Sequence, residues 1–169
     1  MTAGRPSTPR LTRDAILTEA LVLLTKGEQA LTIRALAQRL NVTPMAIQHH
    51  IGTRDALIHA LADHVLARVP TETEGPPTER LRALMQSYVQ TITAHPNLTL
   101  ALFRTVGPLP KEAQRITDAI ESLLLTQGLS AAKARLWRDI LIDWAHGMTL
   151  AQSGEDPTPA LATLLETLP

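Results

Sequence analysis

Within the stretch LTIRALAQRLNVTPMAIQHHIGTRDALI, Leu31 to Ile58, the side chains best suited to chemistry are Arg34, Met45, Gln48, His49 and Arg54. That chemistry is recognition rather than bond breaking. An arginine can meet guanine O6 and N7 with two parallel hydrogen bonds, a glutamine can read adenine or a phosphate, and a methionine either packs or touches a thymine methyl. Arg54 follows Thr53, a suitable helix cap, so its cation and free helix N–H groups can share one phosphate. The alternative for Arg34 or Arg54 is a solvated arginine beside an acidic neighbour, such as Asp55 for Arg54. His49 and His50 invite a metal, but adjacent helical residues point about 100° apart and no further ligand stands at metal spacing. Neither a metal nor a cofactor is expected.

The elements that must hold these groups can be built from local rules. Thr32 offers an N-cap oxygen, and Leu36, Ala37 and Leu40 recur at helical spacing behind it. The helix ends near Asn41, which tolerates a left-handed backbone, and Val42 supplies an apolar plug past the turn. Thr43 then caps a second helix with Pro44 in its first position, where a missing N–H costs nothing. That helix, Pro44 to His50, sends Ile47 and Ile51 toward a core and leaves Met45, Gln48 and His49 outward. Two short helices joined by a tight turn, at about 32–51, have the layout of a DNA-binding helix-turn-helix. A short helix with a polar outer face can enter a major groove roughly 12 Å wide.

The rest of the chain also reads as helix, with no period-2 strand pattern. RDAILTEALVLLTKG, Arg13 to Gly27, precedes the motif, and TRDALIHALADHVLARV, residues 53–69, follows it as a connecting helix. The Pro-, Thr- and Glu-rich segment 70–79 breaks the chain in two. Beyond it, Leu81, Leu84, Met85, Tyr88, Val89 and Ile92 form one apolar face, ended by His95-Pro96. Further helices are expected from Asn97 to Thr105, Pro110 to Gln127, Ser130 to about Ser153 and Pro159 to Leu168. The long one is apolar on more than one face, with Trp137, Ile140, Leu141, Trp144, Ala145 and Met148 as one stripe. The expected fold is all-α, about nine helices, with units at 10–69 and 80–169 behind a flexible basic arm at 1–9.

Composition bounds the function. The chain has 169 residues, 44% of them hydrophobic, enough for one or two compact cores. No apolar run approaches the roughly 18 residues of a membrane span and no signal peptide is legible, so a cytoplasmic protein without membrane contact is expected. Cysteine is absent, which excludes disulfides and thiolate chemistry. Net charge is zero, but residues 1–59 hold seven Arg or Lys against four Asp or Glu, while 60–169 hold nine against twelve. The basic half carries the helix-turn-helix. There is no GxSxG, HExxH or phosphate-binding glycine loop, so an enzyme is not expected.

LTIRALAQRLNV, followed by a short recognition helix, the pair His50-Ile51 and TRDALI, resembles the tetracycline-repressor (TetR) family, and the likeness extends upstream over Arg13 to Gly27. Three positions depart from the family pattern: Gln48 where an aromatic is usual, Asn41 where glycine is common, and Gly52 after the His-Ile pair. The resemblance implies phosphate contacts from Thr32, His50 and Arg54, and base-edge or nearby contacts from Arg34, Thr43, Pro44, Met45, Gln48 and His49. It further implies a homodimer on a pseudo-palindromic operator, with two recognition helices about 34 Å apart. The last two long helices would pair across the dimer, through Leu141, Met148, Leu161, Leu164, Leu165 and Leu168. A small-molecule effector would bind in the second half, where Met85, Tyr88, Phe103, Trp137 and Trp144 are candidate lining residues, although an ordinary core role is the first reading of each. Asp139, Asp143 and His146, at i, i+4 and i+7, could hold a cation or cationic ligand, or form a solvated face. The expected function is a ligand-released transcriptional repressor. The rivals are a helical ligand- or protein-binding dimer that no longer binds DNA and, behind it, an enzyme.

Overall fold

The structure, a computed structural model, describes residues 11–151 and 154–168; the expected basic arm at 1–9 lies outside the described residues. Among the described residues the fold is all-α. The nine helices are α1 (Arg13–Leu24), α2 (Ile33–Arg39), α3 (Pro44–Ile51), α4 (Arg54–Leu66), α5 (Pro77–Thr93), α6 (Pro96–Phe103), α7 (Lys111–Thr126), α8 (Ala131–Ala151) and α9 (Thr158–Glu166). A 3-10 turn at Glu28–Ala30, between α1 and α2, had no clear sequence signal. None of these helices is long and apolar enough to cross a membrane.

Local chemistry explains the starts and stops of the first four helices. Thr12, Thr32, Thr43 and Thr53 each accept a hydrogen bond from the backbone N–H three residues on, at 3.0 to 3.2 Å. A threonine cap of this kind is worth about 1 kcal/mol. Asn41, at φ 53°, is the one non-glycine residue in the left-handed region among those described. Around it the Val42 N–H donates to Ala37 O at 3.0 Å and the Asn41 N–H to Gln38 O at 3.3 Å. Those two bonds are the Schellman closure of α2, and Val42 packs on the core as its apolar contact. Gly52, at φ 89°, makes the second sharp turn, from α3 into α4.

Two apolar cores follow, and two helices serve both. Ile16, Leu36, Ile47, Leu57 and Ile58 are fully buried in the first, which joins α1 to α4. Leu81, Leu84, Met85, Ile116, Ile120 and Leu141 are buried in the second, which joins α5, α7 and α8, with Leu161 of α9 beside them. α4 gives Leu57, Leu61 and Val65 to the first core and Ala62 and Leu66 to the second. α6 gives Leu98 and Ala101 to the first core while lying against α8. Polar ties fix α4 to α7: the Glu112 N–H donates to Asp63 Oδ1 at 2.9 Å, and Arg115 donates to the Leu66 and Val69 carbonyls that end α4.

α8 corrects the sequence expectation about which side faces inward. Its buried line is Ala134, Leu141, Ala145 and Thr149, mostly small residues that let the helix lie close on α5 and α7. Trp137, Ile142 and Trp144 flank that line, half-buried. Ile140, expected in the inward stripe, is instead exposed, with Leu136 and Leu150. Leu141 and Leu161, expected at a dimer surface, are 0% and 2% exposed because the chain's own core takes them. Leu164, Leu165 and Leu168 are half-buried against the same core, and Met148 is half-buried on α8.

Candidate functional site

The helix-turn-helix presents a surface that folding does not use. Ile47 and Ile51 anchor α3, 0% and 8% exposed, while Met45, Gln48, His49 and His50 all face solvent. Met45 is 77% exposed, so packing within the chain is not its role. His49 and His50 meet edge to face, ring centroids 5.8 Å apart. Thr43 and Pro44 form the N-terminal end of α3, and Thr32 the end of α2, each exposed. Arg34 is exposed on α2. Arg39, also on α2, is held by Glu19 of α1 at 2.7 Å.

Arg54 is placed differently from the sequence expectation. Its Nη2 donates to Glu28 Oε1 at 3.2 Å and its Nε to the Leu31 carbonyl at 3.3 Å, so the guanidinium is turned back on the fold. The acidic neighbour is Glu28, not Asp55. The other oxygen of Glu28 accepts from Arg104 Nη1 at 2.8 Å, and Arg104 caps the C-terminal end of α6. Asn97, in the first turn of α6, donates to the Leu24 carbonyl that ends α1, at 2.8 Å. Both ends of α6 are therefore tied to the unit that carries the helix-turn-helix.

The other face of α6 lines a cavity of about 160 Å³ that it shares with α4, α5, α7 and α8. Leu98, Thr99, Leu102 and Phe103 come from α6, Ala62, Val65 and Leu66 from α4, and Ile142 and His146 from α8. Tyr88 and Ile92 stand on α5 at i and i+4, and His95 follows at the junction of α5 with α6. Tyr88 Oη and His146 Nε2 are 2.8 Å apart, and the edge of the Phe103 ring meets the His146 ring at 4.9 Å. Burial raises the Tyr88 hydroxyl well above the usual phenol range. Burial also lowers the His146 imidazole, against the opposing pull of Asp143, and His95 is lowered by burial and then by Arg68. Both histidines are thereby favoured in the neutral form.

Of the five candidate lining residues, Tyr88 and Phe103 line this cavity. Met85 is fully buried in the second core, and Trp137 and Trp144 pack against that core from α8, away from the cavity wall. His146 does not join the two aspartates: Asp139 and Asp143 are exposed, Asp139 pairs with Arg138 at 2.8 Å, and α6 covers only the later part of the helix. His95, Ile142 and the polar pairing of His146 with Tyr88 were not anticipated. The one available signal was the run from the apolar face that carries Tyr88 to the His95-Pro96 pair that ends it.

The fold and these two sites define an all-α protein with an exposed helix-turn-helix at one end and a small internal cavity behind it. No family model matches the chain. The tetracycline repressor protein class E of Escherichia coli is 32% identical over 78 residues, 46% of this chain and 37% of that protein. The chain thus matches little more than a third of the length of that curated relative. BioQ with its double-stranded DNA operator superposes with a TM-score of 0.78 at 22% identity, over 94% of this chain and 98% of that one. Streptomyces coelicolor ActR, a TetR-family protein solved in complex with actinorhodin, superposes with a TM-score of 0.73 at 28% identity, over 94% of this chain and 80% of that one. Over 78 residues the chain is thus similar to a tetracycline repressor, and its fold is like that of the TetR-family protein ActR.

Proposed function

We propose that the protein is a cytoplasmic transcriptional repressor that binds operator DNA as a homodimer and leaves it when a small molecule fills the cavity. The observation that carries this reading is α3: capped by Thr43 and anchored by Ile47 and Ile51, it leaves Met45, Gln48 and His49 exposed to solvent. BioQ, of the same fold, is seen with its operator, and ActR with a small molecule. Those precedents support the two halves of the proposal.

A second copy fits the uncovered side of α8. Leu136, Ile140, Asp143, Gly147 and Leu150 fall within one narrow stripe at i, i+4, i+7, i+11 and i+14, and all are exposed. A Cβ built on Gly147 meets nothing within 4 Å, so the chain's own packing does not require glycine there. A glycine on a stripe with Leu136, Ile140 and Leu150 lets a partner helix approach closely, and an isologous pairing of this stripe would join two copies of α3 in one symmetric dimer. The dimer surface is thereby reassigned from Leu141 and Leu161 to Leu136, Ile140 and Leu150.

The test is binding of the purified protein to its own upstream DNA against a scrambled fragment, across salt concentrations. Preference for its own fragment with a steep salt slope is expected. Equal weak binding to both would refute operator recognition and favour a ligand-binding module in which α3 is idle.

A further inference from the structure

Three properties of the cavity narrow what it can hold. Its volume, about 160 Å³, matches cavities of about 150 Å³ that take a benzene-sized molecule. Its wall includes no Asp, Glu, Lys or Arg, and its polar side chains are Tyr88, His95, Thr99 and His146. A charged guest would leave water for a wall without a counter-ion, which strongly disfavours it. The mouth is apolar as well: Phe103 and Leu109 are 58% and 57% exposed where they line it.

The Tyr88–His146 pair adds the one specific handle. If Nε2 accepts the Tyr88 proton, the phenol oxygen keeps a lone pair for an alcohol donor. In the other tautomer Nε2–H donates, and the Tyr88 O–H is free to donate to a carbonyl. Either way one neutral oxygen of a guest is satisfied at the cost of a tautomer change. Thr99 is already turned to the His95 carbonyl of its own helix at 3.5 Å, a weaker competitor for the guest.

We infer that the cavity takes an uncharged, mostly hydrocarbon molecule about the size of one six-membered ring, carrying a single oxygen that hydrogen-bonds to the Tyr88–His146 pair. This deepens the effector reading above, on which it rests, by naming the chemical class of the ligand.

The test is a ligand-observed NMR titration of the full chain with four probes sharing one ring: cyclohexanone, methylcyclohexane, cyclohexanecarboxylate and cyclohexylammonium. Cyclohexanone should bind tightest, with both charged probes at least about tenfold weaker. Tyr88→Phe should bring cyclohexanone down to the level of methylcyclohexane, a loss of about fivefold for one neutral hydrogen bond, and leave methylcyclohexane unchanged. A charged probe that matches or beats the ketone, no binding by any of the four, or a ketone advantage that survives Tyr88→Phe would each overturn the inference. The ranking on the unaltered protein decides the question if the variant does not fold. Operator binding in the same samples separates the two readings. A ketone that binds without changing DNA affinity keeps the ligand class and refutes the effector role, whereas DNA binding with the wrong probe ranking does the reverse.

Discussion

Replacing Glu28 with glutamine tests whether α6 is electrically tied to the DNA-reading unit. Each oxygen of this carboxylate holds one guanidinium: Oε1 takes Arg54 at 3.2 Å and Oε2 takes Arg104 at 2.8 Å. Hydrogen bonds to charged groups are worth about 1.5 to 3 kcal/mol where water is excluded. Glu28 is nearly buried, with a side chain 12% exposed, but Arg54 at 37% and Arg104 at 59% are open to solvent, which pulls each pair down toward the surface range of about 0 to 1 kcal/mol. The expected loss for Glu28→Gln is therefore about 1 kcal/mol in total, or about 2 to 4 °C in Tm for a chain of this size. A second readout follows from Arg54, which stands at the first position of α4 and is released from its anion. Free to turn toward phosphate, it should steepen the salt dependence of DNA binding by about one ion. Thermal melts and DNA titrations at several salt concentrations measure both. An unchanged Tm together with an unchanged salt slope would refute the coupling drawn here.

Gln48→Ala should alter which base is preferred at one operator position, by about 1 to 3 kcal/mol of discrimination, and selection from a randomised operator reads it out; an equal loss on every sequence would remove Gln48 from the base-reading set. Ile140→Glu places a charge in the middle of the exposed stripe of α8 and should shift the protein to monomer in sedimentation equilibrium, with no loss of helix; a mass that stays that of a dimer would move the interface elsewhere. Acid should destabilise the fold, because His146 and His95 have lowered values when folded and the unfolded chain takes up protons first, from their usual value of 6.5 downward. Stability present above about pH 6.5 is lost as the pH falls toward the folded-state values, His146→Leu should flatten that fall, and melts that stay level between pH 7.5 and 5.5 would contradict it.

The helix-turn-helix was legible because its determinants are local. Thr32, Asn41, Val42, Thr43 and Pro44 each act within four or five residues of chain, so caps, closure and turn follow from residue type alone. What failed is non-local. Arg54 was read as a phosphate contact, with Asp55 as the alternative partner, but the carboxylate it meets is Glu28, 26 residues upstream, and Glu28 in turn meets Arg104 across 76. His146 was read with the aspartates on its own helix, while its hydrogen bond runs to Tyr88 across 58 residues. Periodicity marks Leu141 and Leu161 as apolar but cannot say whether an apolar face meets the chain's own core or another subunit. On α8 the buried line includes the small residues Ala134 and Ala145, which an apolar-periodicity reading does not pick out.

That non-local wiring bears on how a ligand could reach the DNA-reading surface. Filling a rigid pocket changes nothing elsewhere unless its walls have a second arrangement whose population the ligand shifts. Here the walls are α4 and α6, and neither belongs to one core. Residues of α4 alternate along the helix between the cavity side, with Ala62 and Leu66, and the first core, with Leu57 and Leu61, only one glycine-bearing turn after α3. α6 lines the cavity with Leu102 and Phe103 and is pinned to the first unit through Asn97 and Arg104. A guest that displaces Phe103 therefore loads the Arg104–Glu28–Arg54 chain and the N-terminal turn of α4 together. The differential required is modest, about 1 to 3 kcal/mol for typical coupling. Part of it is available in the Glu28 pairs, which are half-exposed, weak and readily exchanged for water.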